Sequence, residues 1–168
     1  MKNHYIICGY GRMGAVIAKE LHDKDYPFVI VELEQDKVDK ITEIGYKSVL
    51  GDATIEKTLE EAGIHQAAGI VVCLNNDPDN LFVTLTARSL IYDAFLVSRC
   101  SQINNKPKLK QAGANKVVNP YTAGGHRMAE LLISPELEDT VSLSLKQGVV
   151  DLAIDEVNLT NLNSFHGV

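Results

Sequence analysis

Tryptophan is absent from the 168-residue chain and aromatic residues make up only 6% of it, so a core here must be aliphatic. Long apolar runs are also missing. No stretch reaches the ~18 consecutive apolar residues that a membrane-spanning helix needs, and the apolar part of MKNHYIICGYG is too short for a signal peptide. Basic residues are outnumbered by acidic ones, 16 against 22, which sets the net charge at −6 and the isoelectric point near 5.3. That balance argues against a broad positive surface, and no nucleic-acid partner is expected. Cysteine is scarce and unpaired in pattern: Cys8, Cys73 and Cys100 form no CxxC and sit at the ends of apolar runs. They read as reduced, half-buried thiols of a cytosolic protein rather than as disulfide or zinc ligands.

What is present is the composition of a soluble globular protein, 45% hydrophobic and 23% charged. The length suits one α/β domain with a short appendage. Apolar runs at 4–8, 28–33, 48–51, 69–74, 95–100 and 116–120 predict six strands. Patterns with apolar residues three and four apart predict helices at 12–22, 35–45, 55–63, 77–92 and 104–112 between them. Strict alternation of this kind implies parallel strands joined by crossover helices, and nearly continuous apolar strands imply helices on both faces. The fold class is therefore α/β, a Rossmann-type doubly wound parallel sheet of about six strands. Gly45, Gly63 and Gly113 each follow a predicted helix where a left-handed stop is wanted. A further helix is predicted over 120–133, then a break at SPELED, then two alternating strands within 141–159. Three parts follow: a nucleotide-binding domain at 1–120, a crossover helix and linker at 121–139, and an incomplete start of a small second lobe at 140–168.

The first strand runs into GYGRMG, with Gly9, Gly11 and Gly14 at the spacing of a dinucleotide-binding turn. In that turn the first glycine allows the bend, the second lets phosphates approach the backbone, and the third allows close helix packing. The new helix offers unpaired N–H groups and a positive dipole end to a pyrophosphate. The motif alone is weak, and the plainer reading is a structural turn. Glu32 strengthens the nucleotide reading: it lies 18 residues beyond Gly14 at the end of the second strand, where a carboxylate accepts from ribose hydroxyls and repels a 2′-phosphate. Arg12 is either a phosphate ligand or a solvated first-turn residue. Asp52 either meets an adenine amino group or caps the helix near Ile55. Asn75, Asn76 and Asp77 follow the fourth strand at the edge where ligands lie, Asp77 also fitting a helix cap, and Arg99 ends the fifth strand on the same edge. The candidate set is the turn residues Gly9, Tyr10, Gly11, Arg12, Met13 and Gly14, then Glu32 with Leu33, Asp52 with Ala53, Leu74 with Asn75 and Asn76, and Arg99.

With IICGYGRMG, VIVELE, VLGDAT and AGANKVVNPYTAGGHRMAELL in place, the chain resembles the RCK (regulator of potassium conductance) or TrkA-N (KTN) domain of prokaryotic potassium channels and transporters, over about residues 3 to 135. The resemblance implies a ligand-sensing module, not an enzyme, that binds NAD(H) or ADP/ATP and regulates a potassium channel pore or a transporter membrane subunit. It also implies a homodimer through the helix at 121–133, an octameric ring in the full protein, and a cytoplasmic position at the inner face of the cell membrane. By position it assigns phosphates to Gly9, Gly11, Arg12 and Gly14, ribose to Glu32 and adenine to Asp52, with Asn75 and Arg99 along the remaining edge. A calcium-gated subgroup carries carboxylates where this sequence has Cys73, Arg99 and Ser101. That departure opposes a hard-cation site; calcium or magnesium stays unassigned, with Glu136, Glu138 and Asp139 read as a solvated linker.

Two other functions compete. One is the soluble regulatory subunit of a potassium uptake transporter or efflux antiporter. The other is the cofactor domain of an NAD-dependent dehydrogenase, which needs a poised proton donor. None is read here: His4, His22, His65, His126 and His166 are scattered and expected at surface or capping positions, and Lys19 and Lys24 look like helix-surface charges.

Overall fold

The computed structural model of the chain describes residues 1–136. Six strands alternate with helices: β1 (Tyr5–Cys8), α1 (Arg12–Asp23), β2 (Phe28–Glu32), α2 (Gln35–Ile44), β3 (Ser48–Leu50), α3 (Glu56–Glu61), β4 (Gly69–Val72), α4 (Asp77–Leu90), β5 (Phe95–Arg99), α5 (Lys106–Ala112), β6 (Lys116–Val118) and α6 (Pro120–Ile133). All strand pairs are parallel, in the order β3-β2-β1-β4-β5-β6. The order reverses between β1 and β4, which leaves a crevice at their carboxyl ends. The Rossmann-type expectation holds element by element, with the strands one or two residues shorter than their apolar runs. The chain divides into two compact units, Met1–Tyr121 and Thr122–Val168. The strands expected within 141–159 lie outside the described residues.

Alternation along each strand sorts the core into two layers. Ile7, Phe28 and Ile30 point to one face and pack with Ala18 of α1 and Ile41 of α2. Ile6, Cys8, Val29, Val31, Ile70, Val72, Leu96 and Val117 point to the other, under Leu59 of α3, Val83 and Ala87 of α4 and Leu109 of α5. Each fully buried Ile or Leu contributes about 1.5–3 kcal/mol, so aliphatic packing carries this tryptophan-free core. The α1 side is covered unevenly: Val71 and Val97 are half-buried, while Phe95 and Val118 are exposed.

Turn chemistry follows the sequence at the predicted stops, since Gly45, Gly63 and Gly113 all take positive φ. Two capping expectations do not hold. Asn76 caps α4, accepting from the Asp79 N–H at 2.8 Å. Asp77 lies one residue inside the helix and reaches across instead. It accepts from the backbone N–H of Ser101 at 2.7 Å and of Gln102 at 2.9 Å, and from Asn105 Nδ2 at 2.7 Å. Asp52 likewise caps no helix; its Oδ1 accepts from the N–H and hydroxyl of Thr54 at 2.9 and 2.7 Å, closing the turn before α3. In both cases the nearest unpaired N–H groups belong to a loop, and the carboxylate satisfies those first.

Burial acting alone would raise the Asp77 pKa, but the hydrogen bonds from Asn105, Gln102 and Ser101 and the nearby Arg99 charge hold it below its usual value. A depressed folded-state pKa means stability present above the unfolded value near 3.9 and lost as pH falls through the folded one. Asp77→Asn is expected to cost about 1–3 kcal/mol at pH 7 and less at an acid pH below the unfolded carboxylate value near 3.9. Urea titrations at both pH values measure it; equal stability at pH 7 would show that the carboxylate is not the clamp.

Candidate functional site

The carboxyl ends of β1, β2, β3 and β4 enclose a cavity of about 280 Å³. Its floor is the turn from β1 into α1. Gly9 takes φ +102°, and a Cβ there would sit 2.9 Å from the Cys73 carbonyl oxygen. A Cβ on Gly14 would run into the Gly9 carbonyl oxygen. These two glycines are therefore required by the fold itself. Gly11 differs. Its φ of −86° is open to any residue, and the nearest atom to a Cβ there, Asn75 Oδ1, is at an ordinary 3.6 Å. The chain needs no glycine at this position, yet Gly11 lines the cavity and is the N-cap of α1. No side chain caps α1 and no acidic residue enters its first turn. Its leading N–H groups and positive dipole end are thus left for an anion to approach over a bare backbone.

Glu32 closes the cavity on the β2 side. It is buried, and each carboxylate oxygen accepts one backbone N–H: Oε1 from Tyr10 at 2.8 Å and Oε2 from Glu34 at 2.9 Å. Each oxygen retains a lone pair for a further donor. Asp52, Ala53 and Thr54 form the β3 wall, and Leu74, Asn75 and Asn76 the β4 wall. Cys73 lines the cavity too, but its thiol is no nucleophile: burial raises its pKa to about 12, Arg99 opposing and Glu32 adding to the rise.

The structure thus brings Gly9, Tyr10, Gly11, Glu32, Leu33, Asp52, Ala53, Leu74, Asn75 and Asn76 to one cavity. Arg12, Met13, Gly14 and Arg99 do not line it. Arg12 is exposed on α1, and Gly14 acts from behind by letting α1 approach β1. Arg99 and Met13 border a second, apolar groove of about 110 Å³ on the α1 side, with Ile17, Val71, Val97 and Val118; Cys73 borders both spaces. The Arg99 Nε is buried without a partner.

Sequence reasoning missed the braces behind the walls. Asn80, almost fully buried, accepts the Leu74 N–H at 2.8 Å and donates to the carbonyls of Leu74 and Arg99 at 3.2 and 3.1 Å, pinning the ends of β4 and β5. The signal was legible: Asn80 and Thr84 occupy the helical positions that repeat with Val83 and Ala87, a polar pair on a core face. Arg88 was missed as well; it donates to the carbonyls of Gly113, Ile91, Tyr92 and Ala94 and to Asn115 Oδ1. His4 overturns its surface expectation. It is fully buried, and Nε2 donates to the Ala62 carbonyl at 2.7 Å. Lys19 and Lys24 sit in exposed ion pairs with Asp23 and Glu20 as helix-surface charges. Among the described residues no cluster of three or more His, Cys, Asp or Glu is arranged to hold a metal ion, and no helix is long and apolar enough to cross a membrane.

The sequence matches the TrkA-N domain pattern over residues 5–120. The chain belongs to the TrkA-N domain family. This TrkA-N chain is 38% identical over 149 residues to the probable potassium channel protein 2 of Methanocaldococcus jannaschii, a match covering 87% of the chain and 43% of that protein. It is 26% identical over 153 residues to the Ktr system potassium uptake protein C of Bacillus subtilis, covering 90% of the chain and 69% of that protein. It spans less than half the length of the channel proteins that it matches. Among solved structures it is similar to the TrkA-N domain of the Escherichia coli inner membrane protein ybaL, with 28% identity, a TM-score of 0.75, and coverage of 79% of the chain and 98% of that structure. It is also similar to the GsuK channel bound to NAD, with 28% identity, a TM-score of 0.65, and coverage of 70% of the chain and 21% of that structure. GsuK bound to ADP matches at the same identity and TM-score, over 71% of the chain and 31% of that structure.

Gly14→Ala is expected to lower the stability of this TrkA-N fold by at least about 2 kcal/mol, because either α1 or the Gly9 peptide must move. Thermal melts of the variant test it, and an unchanged midpoint would show that the turn has slack.

Proposed function

We propose that the chain is a ligand-sensing regulatory domain that binds NAD(H) or an adenine nucleotide and controls the gating of a potassium channel. The observation that carries this reading is Gly11: a glycine that the backbone does not need, at an uncapped helix start, facing a cavity whose far wall is Glu32. In this reading the diphosphate lies over Gly11 and the first turn of α1, the ribose meets Glu32, and the adenine lies between the β3 and β4 walls near Asp52. Arg12, exposed beside this path, reaches phosphates from outside, and Arg99 belongs to the edge rather than the cavity. GsuK carries the same two ligand classes in its NAD- and ADP-bound structures, which supports the choice.

Among the described residues no histidine lines the cavity, and burial raises the pKa of the one thiol that does; the likeness to potassium channel and uptake proteins supports sensing over turnover. The domain senses its ligand and does not turn it over. The second reading, a soluble regulatory subunit of a potassium transporter, has its support in the likeness to the Ktr system protein. Either way the domain works on the cytoplasmic side, at the inner face of the membrane, against a membrane partner.

Calorimetry of the chain against NAD, NADH, ADP and ATP tests the core of the proposal. At least one of these binds without being consumed, and Gly11→Ala, which the fold tolerates, weakens that binding at least tenfold while leaving the thermal midpoint of the free protein within a few degrees. Steady NADH oxidation, or full affinity in Gly11→Ala, would sink it.

The domain acts as a homodimer joined through the helix at 121–133, and as a ring in the full protein. Support comes from α6, which exposes Tyr121, Met128, Leu132 and Ile133 and buries none of its residues, more apolar surface than one short helix leaves in water without a partner. Light scattering at tens of micromolar is expected to give a dimer mass, and Leu132→Glu to raise the dissociation constant at least tenfold. A monomer in the parent protein would count against the assembly.

A further inference from the structure

The cavity is oddly charged for a site that takes phosphates. Its lining holds four carboxylates, Glu32, Glu34, Asp52 and Asp79, and a single cation, Lys37. That cation is not free. Lys37 Nζ lies 2.8 Å from Glu34 Oε2, one helical turn back at the start of α2, and the lysine side chain is two-thirds buried while the glutamate is mostly exposed. The bond to Glu34 raises the Lys37 pKa above its ordinary value; burial opposes the rise, and the charges of Glu32 and Glu34 add to it.

We propose that Glu34 is the residue that fixes the ribose class of the ligand, by withholding Lys37 from a 2′-phosphate; this rests on the nucleotide reading above. In Rossmann sites the acid ending the second strand takes the ribose hydroxyls, and a cation close by is what accommodates a 2′-phosphate. Lys37 stands in that second position. Glu34 occupies its ammonium, and the buried Glu32 carboxylate adds a like charge to any phosphate brought there. A 2′-phosphorylated adenosine must therefore break an ion pair and enter beside two carboxylates, whereas a free 2′-hydroxyl simply donates to Glu32. The Glu34 backbone N–H holds Glu32 independently of the Glu34 side chain. Removing the side-chain charge thus leaves the Glu32 brace in place and frees the lysine.

Adenosine 5′-monophosphate and adenosine 2′,5′-bisphosphate differ only at the group in question, so calorimetry with this pair at low salt isolates it. The parent protein prefers the monophosphate at least tenfold. Glu34→Gln narrows that ratio by about fivefold, the scale of a partly exposed ion pair, and Glu34→Gln combined with Lys37→Met restores it. An unchanged ratio in Glu34→Gln, or a narrowed ratio that survives loss of Lys37, overturns the assignment. Equal affinity for both ligands in the parent protein overturns it while leaving the nucleotide reading intact. Binding of neither ligand by any form, together with none of NAD, NADH, ADP and ATP, overturns both.

Discussion

Glu32 is where the strands and the turn meet. Its two carboxylate oxygens take the N–H of Tyr10, inside the glycine turn, and of Glu34, at the head of α2. One buried charge thereby holds the β1–α1 turn and the β2–α2 turn in fixed relation. A buried carboxylate is costly unless its hydrogen bonds are made, and here the bonds come from backbone that must be still for a ligand to recognise it. The acid is a brace before it is a ligand. That order is useful, because donors and acceptors already in place lose little entropy when something binds.

The same device recurs around the edge. Asp77 gathers the loop after β5, Asn80 joins the ends of β4 and β5, and Arg88 collects carbonyls at the far end of α4. The aliphatic core sets which elements pack, but it does not direct the loops, since apolar contact has no orientation. Directed bonds from a few half-hidden polar side chains supply that. They cluster on α4, which makes this helix the frame of the β4–β5 edge. On the opposite side Glu32 does the corresponding work from a strand.

The sheet and most of the cavity wall were legible because they follow from rules of short range: apolar runs, glycine stops, a strict alternation of strand and helix. Ten of the candidate site residues line one cavity for the same reason, since every strand of a parallel sheet ends at one edge. What misled was competition among polar partners. Asp77 and Asp52 looked like helix caps because each precedes or opens a helix, and whether a carboxylate turns to the helix or to a loop depends on where that loop lies in space. His4 looked like a surface residue because its packing partner, the Ala62 carbonyl, is 58 positions away. Arg99 was placed at the right edge and on the wrong side of a wall.

That wall is Cys73. It borders the polar cavity on one side and the apolar groove with Ile17 and Val118 on the other, and its Sγ hydrogen-bonds to the Cys8 carbonyl at 3.3 Å. The two spaces therefore meet at one residue, which is tied to the first strand. Tightly packed interiors are nearly incompressible. A change of side-chain volume at Cys73 therefore alters the lining of both spaces at once.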